Sequence, residues 1–508
     1  MLRKNHLYEL IKSLDVHEKR YLLGKGAKPD GLNTAYVKII NLMYSMDEYS
    51  EAALKSAFKE FSKSEKTDVK KHYLYYWVLK HLYDYHASKF SNHRELRNIA
   101  VLVDRSLIHH ADALLPAIKS RIIESEKYID LLMLLELEIQ VQRYQHNGNP
   151  LRTIKELIHY SKRYTDLQSI ELIRYKFRQL LDINVFTRNN ADSKKIRALF
   201  RDRIIKSRPS DEGFLLNFNY NMLHYWRHGT DGNWERAFKF AHDNFELLKK
   251  HPKIIIHFPD AALQIAQSFT SSASIIKSPL YIKGLSYLKK LATQKQSKRL
   301  KDNLMFQIHL AELIHYNRNR PASKDYRFIR EADLFIEENK DSFSGARINN
   351  YYFDLAKSYF YIGEYKKAFR LLNEIYQHHY TRDQTIDFHT HSRLLLCLTC
   401  YETGDWDLMV SIAKALVEFM KRNAVYYKFE QRIIRFITKE LSTVAEKSKI
   451  VQEAYFKKLK TDLQLIFKSI YERKVINYFD YIFWIDNKLE QIKSQTLHQE
   501  SNVERKAR

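Results

Sequence analysis

The amino-acid sequence predicts an all-α protein in which αα-hairpins form a superhelix with helical caps at both ends. Residues that break helices are scarce, because Gly (11) and Pro (8) make up about 4% of the 508 residues where about 12% is average. Leu, Lys, Glu, Arg and Ala are abundant instead, and their side chains lose little rotamer freedom in a helix. Apolar residues also recur at helical spacing from the N-terminus onward. We therefore expect at least two-thirds α-helix and no sheet.

The composition predicts a chain that folds on its own. Apolar residues make up 45% of the sequence and aromatic residues 13%, which is enough to fill a core although 29% of the residues are charged. The length alone suggests about three domains. No linker rich in Pro, Gly and Ser separates compact blocks, however, so one elongated body of helices is the expected organisation.

Residues 1–90 are predicted to form a non-repetitive helical cap. Apolar residues between Leu7 and Leu14 fall on one helical face, and Asp15 with Glu18 has the spacing of a capping box that starts a second helix. A loop follows in the sequence GAKPDGL, and three further amphipathic segments complete the cap.

Residues 91–440 are predicted to form helical repeats, and residues 441–508 to form C-terminal helices and a charged tail. Short loop sequences with Gly, Pro or Ser divide the repeat region at intervals that accommodate pairs of helices. Several loops place Pro just inside a helix start, as at Pro279 after Ser278.

The clearest repeats lie within residues 349–421. In the sequence YYFDLAKSYFYIGEYKKAFRLL, Ala356 and Ala368 are small where two helices would cross, and Gly363 permits the tight turn between them. The pattern recurs around Gly404, where Met409 replaces the second small residue and a wider crossing is expected. This arrangement of small and aromatic residues resembles the tetratricopeptide (TPR) repeat.

Weaker similarities to this repeat occur earlier in the chain. One is centred on Gly229, if Gly229 is the turn residue and three residues are inserted before the next helix, and a still weaker one includes Gly148. Residues 254–340 are predicted to be helix pairs with irregular turns. The N-terminal sequence LYELIKSLDVHEKRYL also loosely resembles a group of uncharacterised long helical bacterial proteins, a resemblance that implies no activity.

The resemblance to TPR proteins implies a protein or peptide ligand on a concave face, which the first helix of each pair lines. The corresponding residues here are Asn350, Phe353, Lys357 and Tyr361 in one repeat and His391, Leu394, Leu398 and Glu402 in the next. Some TPR relatives bind a C-terminal carboxylate with a paired Lys and Asn. At the corresponding positions this sequence has other pairs, one of which is the apolar pair Leu394 with Leu398. An apolar ligand face is therefore expected.

The sequence contains no Walker A loop, no GxGxxG after a strand, no GxSxG and no HExxH, so we expect a non-enzymatic scaffold without a cofactor. A group of His and Cys residues between His378 and Cys400 contains side chains of the kinds that bind zinc. Both cysteines of this group fall where the repeat places small residues against the partner helix, and free Cys is usually buried as a small apolar residue. Core packing is therefore expected rather than a metal site for His378, His379, His389, His391, Cys397 and Cys400.

Charge favours an alternative function, the binding of RNA or DNA. The formal net charge is +25, and Lys and Arg concentrate near residues 194–208 and 249–301. Such clusters attract polyanions, although charge alone does not name the partner. The candidate polyanion-binding residues are Lys194, Lys195, Arg197, Arg201, Lys289, Lys290, Lys298, Arg299 and Lys301. A third hypothesis is a regulatory sensor that closes on a small peptide.

The N-terminus lacks the apolar stretch of a signal peptide, because Glu9 and Lys12 interrupt it. The longest apolar run begins at Leu131, contains two Glu and is far too short to cross a membrane. A soluble cytoplasmic protein without a membrane span is expected, and the oligomeric state is not predicted.

Overall fold

The computed structural model confirms the all-α prediction. Helices account for 85% of the described residues, and no strand occurs among them. None of the helices in the described ranges is long and apolar enough to cross a membrane. The structure describes residues 6–26, 32–46, 48–59, 67–86, 91–145, 148–181, 184–206, 209, 213–294, 298–321, 325–377, 384–423, 425–441 and 449–506.

The chain packs into two compact units, Met1–Ser161 and Lys162–Arg508. The finer divisions predicted at residues 90 and 440 stay predictions. Helices of the first unit are α1 (His6–Lys12), α2 (Val16–Gly26), α3 (Leu32–Ser45), α4 (Glu51–Lys59), α5 (Thr67–Tyr85), α6 (Ser91–Asp104), α7 (Ile108–Glu124) and α8 (Tyr128–Arg143). Helix α9 (Pro150–Leu180) begins in the first unit and ends in the second.

Two apolar clusters form the core of the first unit. One joins α1 to α5 around Ile11, Leu22 and Ile40, and the other joins α6, α7 and α8 around Ile122 and Leu134. The predicted capping box is present at the start of α2. Asp15 Oδ1 accepts a hydrogen bond from the Glu18 main-chain N–H at 2.7 Å, and Glu18 Oε2 accepts one from the Asp15 N–H at 2.9 Å.

The second unit contains the remaining helices. They are α10 (Asn190–Leu199), α11 (Arg203–Lys206), α12 (Phe214–Thr230), α13 (Trp234–Lys250), α14 (Ile254–His257), α15 (Pro259–Ile275), α16 (Leu280–Thr293), α17 (Lys298–Asn319), α18 (Arg327–Asn339), α19 (Gly345–Tyr361), α20 (Tyr365–Gln377), α21 (Ile386–Thr403), α22 (Trp406–Arg422), α23 (Lys428–Arg435), α24 (Lys449–Ile466) and α25 (Tyr481–Lys506). A π-helical stretch (Phe436–Leu441) continues α23, and 3₁₀ turns occur at Lys340–Ser342 and Glu472–Asn477.

Helices α12 to α22 are arranged mainly as hairpins that pack on one another. The pairs are α12 with α13, α15 with α16, α17 with α18, α19 with α20, and α21 with α22. The second helix of each pair packs against the first helix of the next pair, and the first helices α15, α17 and α19 also pack in sequence. Each pair therefore covers the apolar side of its neighbour, as expected for stacked hairpins.

Each of these five hairpins turns through a residue with left-handed backbone conformation. The residues are Gly232, Lys277, Arg320, Gly363 and Gly404, with φ between 44° and 84°. At Gly363, the next N–H (Glu364) donates to the Tyr359 carbonyl at 2.9 Å, which is the bond pattern of a glycine C-cap. The prediction that Gly229 is a turn residue is wrong, because Gly229 lies inside α12 and Gly232 makes the turn without an insertion.

The residues predicted at the helix crossings are buried. Ala356 and Ala368 are fully buried between α19 and α20. Cys397 on α21 lies against α22, with its Sγ 3.8 Å from the Met409 carbonyl oxygen. Cys397 and Cys400 are both free thiols in the core, and burial raises their pKa, that of Cys400 to about 12. His378 and His379 lie outside the described residues.

Candidate functional site

The first helices of three hairpins, α17, α19 and α21, carry a face that is covered by the chain itself. The covering element is residues 472–480, called here the C-terminal segment, which links α24 to α25 and includes the 3₁₀ turn Glu472–Asn477. The segment lies against the C-terminal ends of α17 and α19 and against α21 and α23. The helices that the sequence predicts to bind a ligand therefore hold a piece of polypeptide.

Main-chain groups of the C-terminal segment are bound by side chains of α17 and α19. Arg318 donates hydrogen bonds to the carbonyl oxygens of Ile476 at 3.3 Å and Asn477 at 2.7 Å. The Tyr361 ring stacks on the Phe479 ring, with centroids 5.4 Å apart and planes within 4°. The Tyr361 hydroxyl also accepts a hydrogen bond from the Asp480 N–H at 3.4 Å. These contacts involve mostly main-chain groups of the C-terminal segment and the ring of Phe479.

His391 of α21 lies at the centre of the covered face. Its ring stacks on Tyr478 with centroids 4.2 Å apart, and its Nδ1 lies 3.3 Å from the Tyr481 hydroxyl. The side chain is fully buried, and burial together with the nearby Arg188 lowers the pKa of His391 well below its ordinary value. His391 is therefore neutral at pH 7 and acts as an aromatic platform for the C-terminal segment.

A buried cluster of charges anchors the start of the C-terminal segment. Arg188 makes a bidentate pair with Glu430, at 2.8 and 3.1 Å, and donates a third bond to Glu472 at 3.2 Å. Burial alone would lower the pKa of Arg188, but the two carboxylates outweigh it and the net shift is upward. Glu472 also accepts hydrogen bonds from the N–H groups of Lys428 and Phe429, at the N-terminus of α23. Removing one member of such a cluster would leave a buried charge unpaired.

Two further contacts tie the segment to residues between α9 and α10. The Tyr478 hydroxyl donates to Asp387 of α21, and Asp387 accepts a hydrogen bond from the Val185 N–H at 2.8 Å. Lys474 contacts the Thr187 hydroxyl, and its Nζ lies 3.8 Å from Asp231. Burial lowers the pKa of Lys474 to about 8.

Seven of the eight predicted partner-binding residues are buried or have their side chains in contact with the C-terminal segment or α25. Phe353, Lys357, His391, Leu394 and Leu398 are buried, and Tyr361 is half-buried beneath the C-terminal segment. Glu402 accepts a hydrogen bond from Trp484 Nε1 at 2.7 Å and pairs with Lys488, both on α25. Asn350 is exposed. Contact of these residues with a second protein stays a prediction, and Tyr361 and His391 contact the C-terminal segment directly.

Lys357 is a buried cation on this face, and its charge is paired by a neighbouring carboxylate. Its Nζ lies 2.5 Å from Asp354 Oδ1 and 4.8 Å from the centre of the Phe353 ring. The cation is thus paired within its own helix. Burial, only partly offset by Asp354, lowers the pKa of Lys357.

The candidate polyanion-binding residues are all exposed. Lys194, Lys195 and Arg197 lie on α10, and Arg201 follows that helix directly. Lys289 and Lys290 lie on α16, and Lys298, Arg299 and Lys301 lie at the start of α17. One of these charges is partly neutralised, because Lys289 Nζ lies 2.7 Å from Glu312.

An open cleft of about 680 Å³ adjoins the covered face and lies between α9, α12 and α15. Gln264, Gln267 and Ser271 line it from one side of α15, while Arg178 and Trp226 line it from the other helices. No acidic side chain is among the described residues that line the cleft. The cleft continues toward the C-terminal segment through Phe186, whose ring lies 5.4 Å from that of Tyr478, and Trp234, which donates to Asn477 at 3.2 Å.

The sequence interpretation missed this cleft, although one signal pointed to it. Gln264, Gln267 and Ser271 are spaced three and four residues apart, and this spacing puts their polar side chains on one side of the helix. The residues opposite them come from distant parts of the chain and leave no local pattern.

The site offers hydrogen bonds to main-chain groups and flat aromatic rings, which together hold polypeptide in place. Among the described residues, no group of three or more His, Cys, Asp or Glu side chains could hold a metal ion. No protein-family model matches the chain, and no curated protein matches its sequence significantly.

Proposed function

We propose that this chain is a non-enzymatic, TPR-like helical-repeat protein of the cytoplasm, which binds a peptide segment of a partner protein along its first helices. One observation carries the proposal: this face holds a polypeptide segment of the chain itself, through Arg318, Tyr361 and His391. A surface that binds main-chain carbonyl groups and stacks on rings is suited to other peptides as well.

The open cleft is the proposed seat of the partner peptide. Its volume of about 680 Å³ lies within the range of pockets that enclose small ligands. Gln264 and Gln267 have amide groups that can pair with a peptide main chain. Trp226 supplies an aromatic anchor of the kind that dominates binding energy at protein interfaces.

Affinity purification with and without nuclease treatment tests the proposal. We expect a protein partner that is retained after nuclease treatment and that binds the purified chain directly. Trp226→Ala and Gln264→Ala should weaken binding of the purified partner at least about tenfold, as expected when an interface anchor is truncated. The matched control is Leu334→Ala, because Leu334 is 65% exposed on α18 and does not line the cleft.

Two results would contradict this function. One is the loss of every partner after nuclease treatment. The other is a partner that binds the wild type, both cleft variants and the control Leu334→Ala with equal affinity.

RNA or DNA binding is the second candidate function. The observation that favours it is the exposure of all nine candidate cations on α10, α16 and α17, or immediately after α10. Exposed cations are available to phosphate groups, and their binding weakens steeply as salt increases.

A further inference from the structure

A second, smaller cavity lies where the C-terminal segment passes the ends of α15 and α17. Its volume is about 250 Å³. Four cationic side chains line it, Lys277, Arg318, Arg320 and Lys357, whereas Asp480 is the single carboxylate among its described lining residues.

The charges around the cavity do not balance. Arg320 Nη2 pairs with Asp480 at 2.8 Å, and Lys357 pairs with Asp354 at 2.5 Å. Arg318 donates to neutral carbonyl oxygens. Lys277, which is exposed to solvent, is the fourth cation, so four positive charges of the lining stand against the two carboxylates of Asp480 and Asp354.

One hydrogen-bond donor at the cavity is also unused. Arg320 Nη1 is buried, and it has no hydrogen-bond partner among the described residues. A buried donor without a partner is costly, and such groups often mark the place of a ligand. Burial lowers the pKa of both Arg318 and Lys357, and nearby Asp354 offsets this effect only in part.

The backbone at the cavity supplies an independent observation. Lys277 and Arg320 have φ of 57° and 44°, the left-handed conformation. The same turn position is Gly232, Gly363 or Gly404 in the other three hairpins. Lys277 and Arg320 therefore place cationic side chains at a turn position where the other three hairpins have no side chain.

We propose that this cavity binds a phosphate group, with Arg318, Arg320, Lys277 and Lys357 as its cationic lining. The two uncompensated positive charges match a phosphate monoester, which carries about −1.5 to −2 at pH 7. Arginine also presents a planar set of donors that fits phosphate oxygens. The cavity is too small for a whole nucleotide, so the ligand is free phosphate or a phosphorylated side chain. This site does not depend on the proposed partner-binding function.

The test measures binding of inorganic phosphate to the full chain by calorimetry and by thermal unfolding at constant ionic strength. Phosphate should raise the melting temperature of the wild type by about 2 °C or more, since a ligand of the folded state stabilises it. Lys277→Gly should bind phosphate at least about tenfold more weakly, because it removes one of the four cations that line the cavity. Without phosphate, Lys277→Gly should not unfold earlier than the wild type, because glycine relieves the backbone strain.

Three further variants isolate the lost charge. Lys277→Gln should reproduce the loss of phosphate affinity while keeping a long side chain. Ser106→Gly makes the same backbone change at another left-handed residue, with φ of 59°, and should keep full affinity. Lys239→Gln removes an exposed cation from α13 and should also keep it.

Phosphoserine and serine, tested in parallel, distinguish the two sources of the phosphate group. Phosphoserine bound at least as tightly as inorganic phosphate, with serine inactive, indicates a phosphorylated side chain. Inorganic phosphate bound more tightly than phosphoserine indicates the free anion. The proposal is overturned if chloride at equal ionic strength gives the same stabilisation, or if the wild type and Lys277→Gly bind phosphate equally.

Discussion

Ala368 is small because two helices meet at its side chain. It is fully buried where α20 packs on α19. We expect Ala368→Leu to lower the free energy of unfolding by about 1–3 kcal/mol, because extra methylene groups overpack a filled core. A urea titration measures the change, with Lys366→Leu at an exposed position of the same helix as control. An unchanged midpoint for Ala368→Leu would mean that this crossing tolerates a larger residue.

Lys474 makes stability depend on pH. Its pKa is about 8 in the folded chain and ordinarily 10.5, so between these pH values the unfolded chain binds a proton that the folded chain does not. The contribution of Lys474 to stability should therefore rise as pH increases from 8 to 10.5. Lys474→Met lacks this contribution. The melting temperature of the wild type minus that of the variant should therefore increase from pH 8 to pH 10.5. Parallel pH profiles would show that Lys474 does not titrate in this way.

The residues of the buried charge cluster illustrate what sequence patterns cannot show. Arg188 and Glu430 are 242 residues apart, and Arg188 and Glu472 are 284 apart. Helical periodicity describes neighbours within a few turns, so it carries no information about such pairs. Likewise, a lysine or arginine gives no local signal that its backbone will be left-handed, and the turns at Lys277 and Arg320 were predicted only as irregular.

At the scale of elements, local sequence predicted the hairpins well. The small residues at the crossing of α19 and α20 and the turns at Gly363 and Gly404 lie where the pattern placed them, because these features follow from contacts within one hairpin. The same pattern placed Tyr361, His391 and Glu402 on one side of the first helices, and all three contact residues 478–488. The residues that these side chains contact were missed, since they lie about 80 to 120 residues further along the chain.

The double variant Lys357→Ala with Tyr361→Ala tests how the C-terminal segment is held. Both side chains are packed on this face, and Tyr361 stacks on Phe479. We expect a lower melting temperature, because truncating a stacked aromatic removes buried contact area. Asn350→Ala is the control, since Asn350 is exposed on the same helix. An unchanged melting temperature together with weaker binding of a partner would instead assign the two residues to that partner.

At the scale of the whole molecule, the net charge of +25 raises the question of whether polyanions bind through a defined patch or through general attraction. The exposed cations near residues 289–301 are the test region, because they lie on two helices that pack together, α16 and α17. We expect replacement of Lys289, Lys290, Lys298, Arg299 and Lys301 by Gln to leave the fold intact, because exposed charges contribute little to stability.

The same five replacements should abolish salt-sensitive retention on a polyanion, if the second candidate function is correct. A matched variant replaces Arg330, Lys366, Lys414, Lys421 and Arg422, which are exposed elsewhere in the second unit, and lowers the net charge equally. Patch binding predicts that only the first variant loses retention of single-stranded DNA on a column at low salt. Equal loss in both variants would show that retention follows net charge alone. No retention of the wild type would remove nucleic acid as a ligand, and the peptide would remain the proposed one.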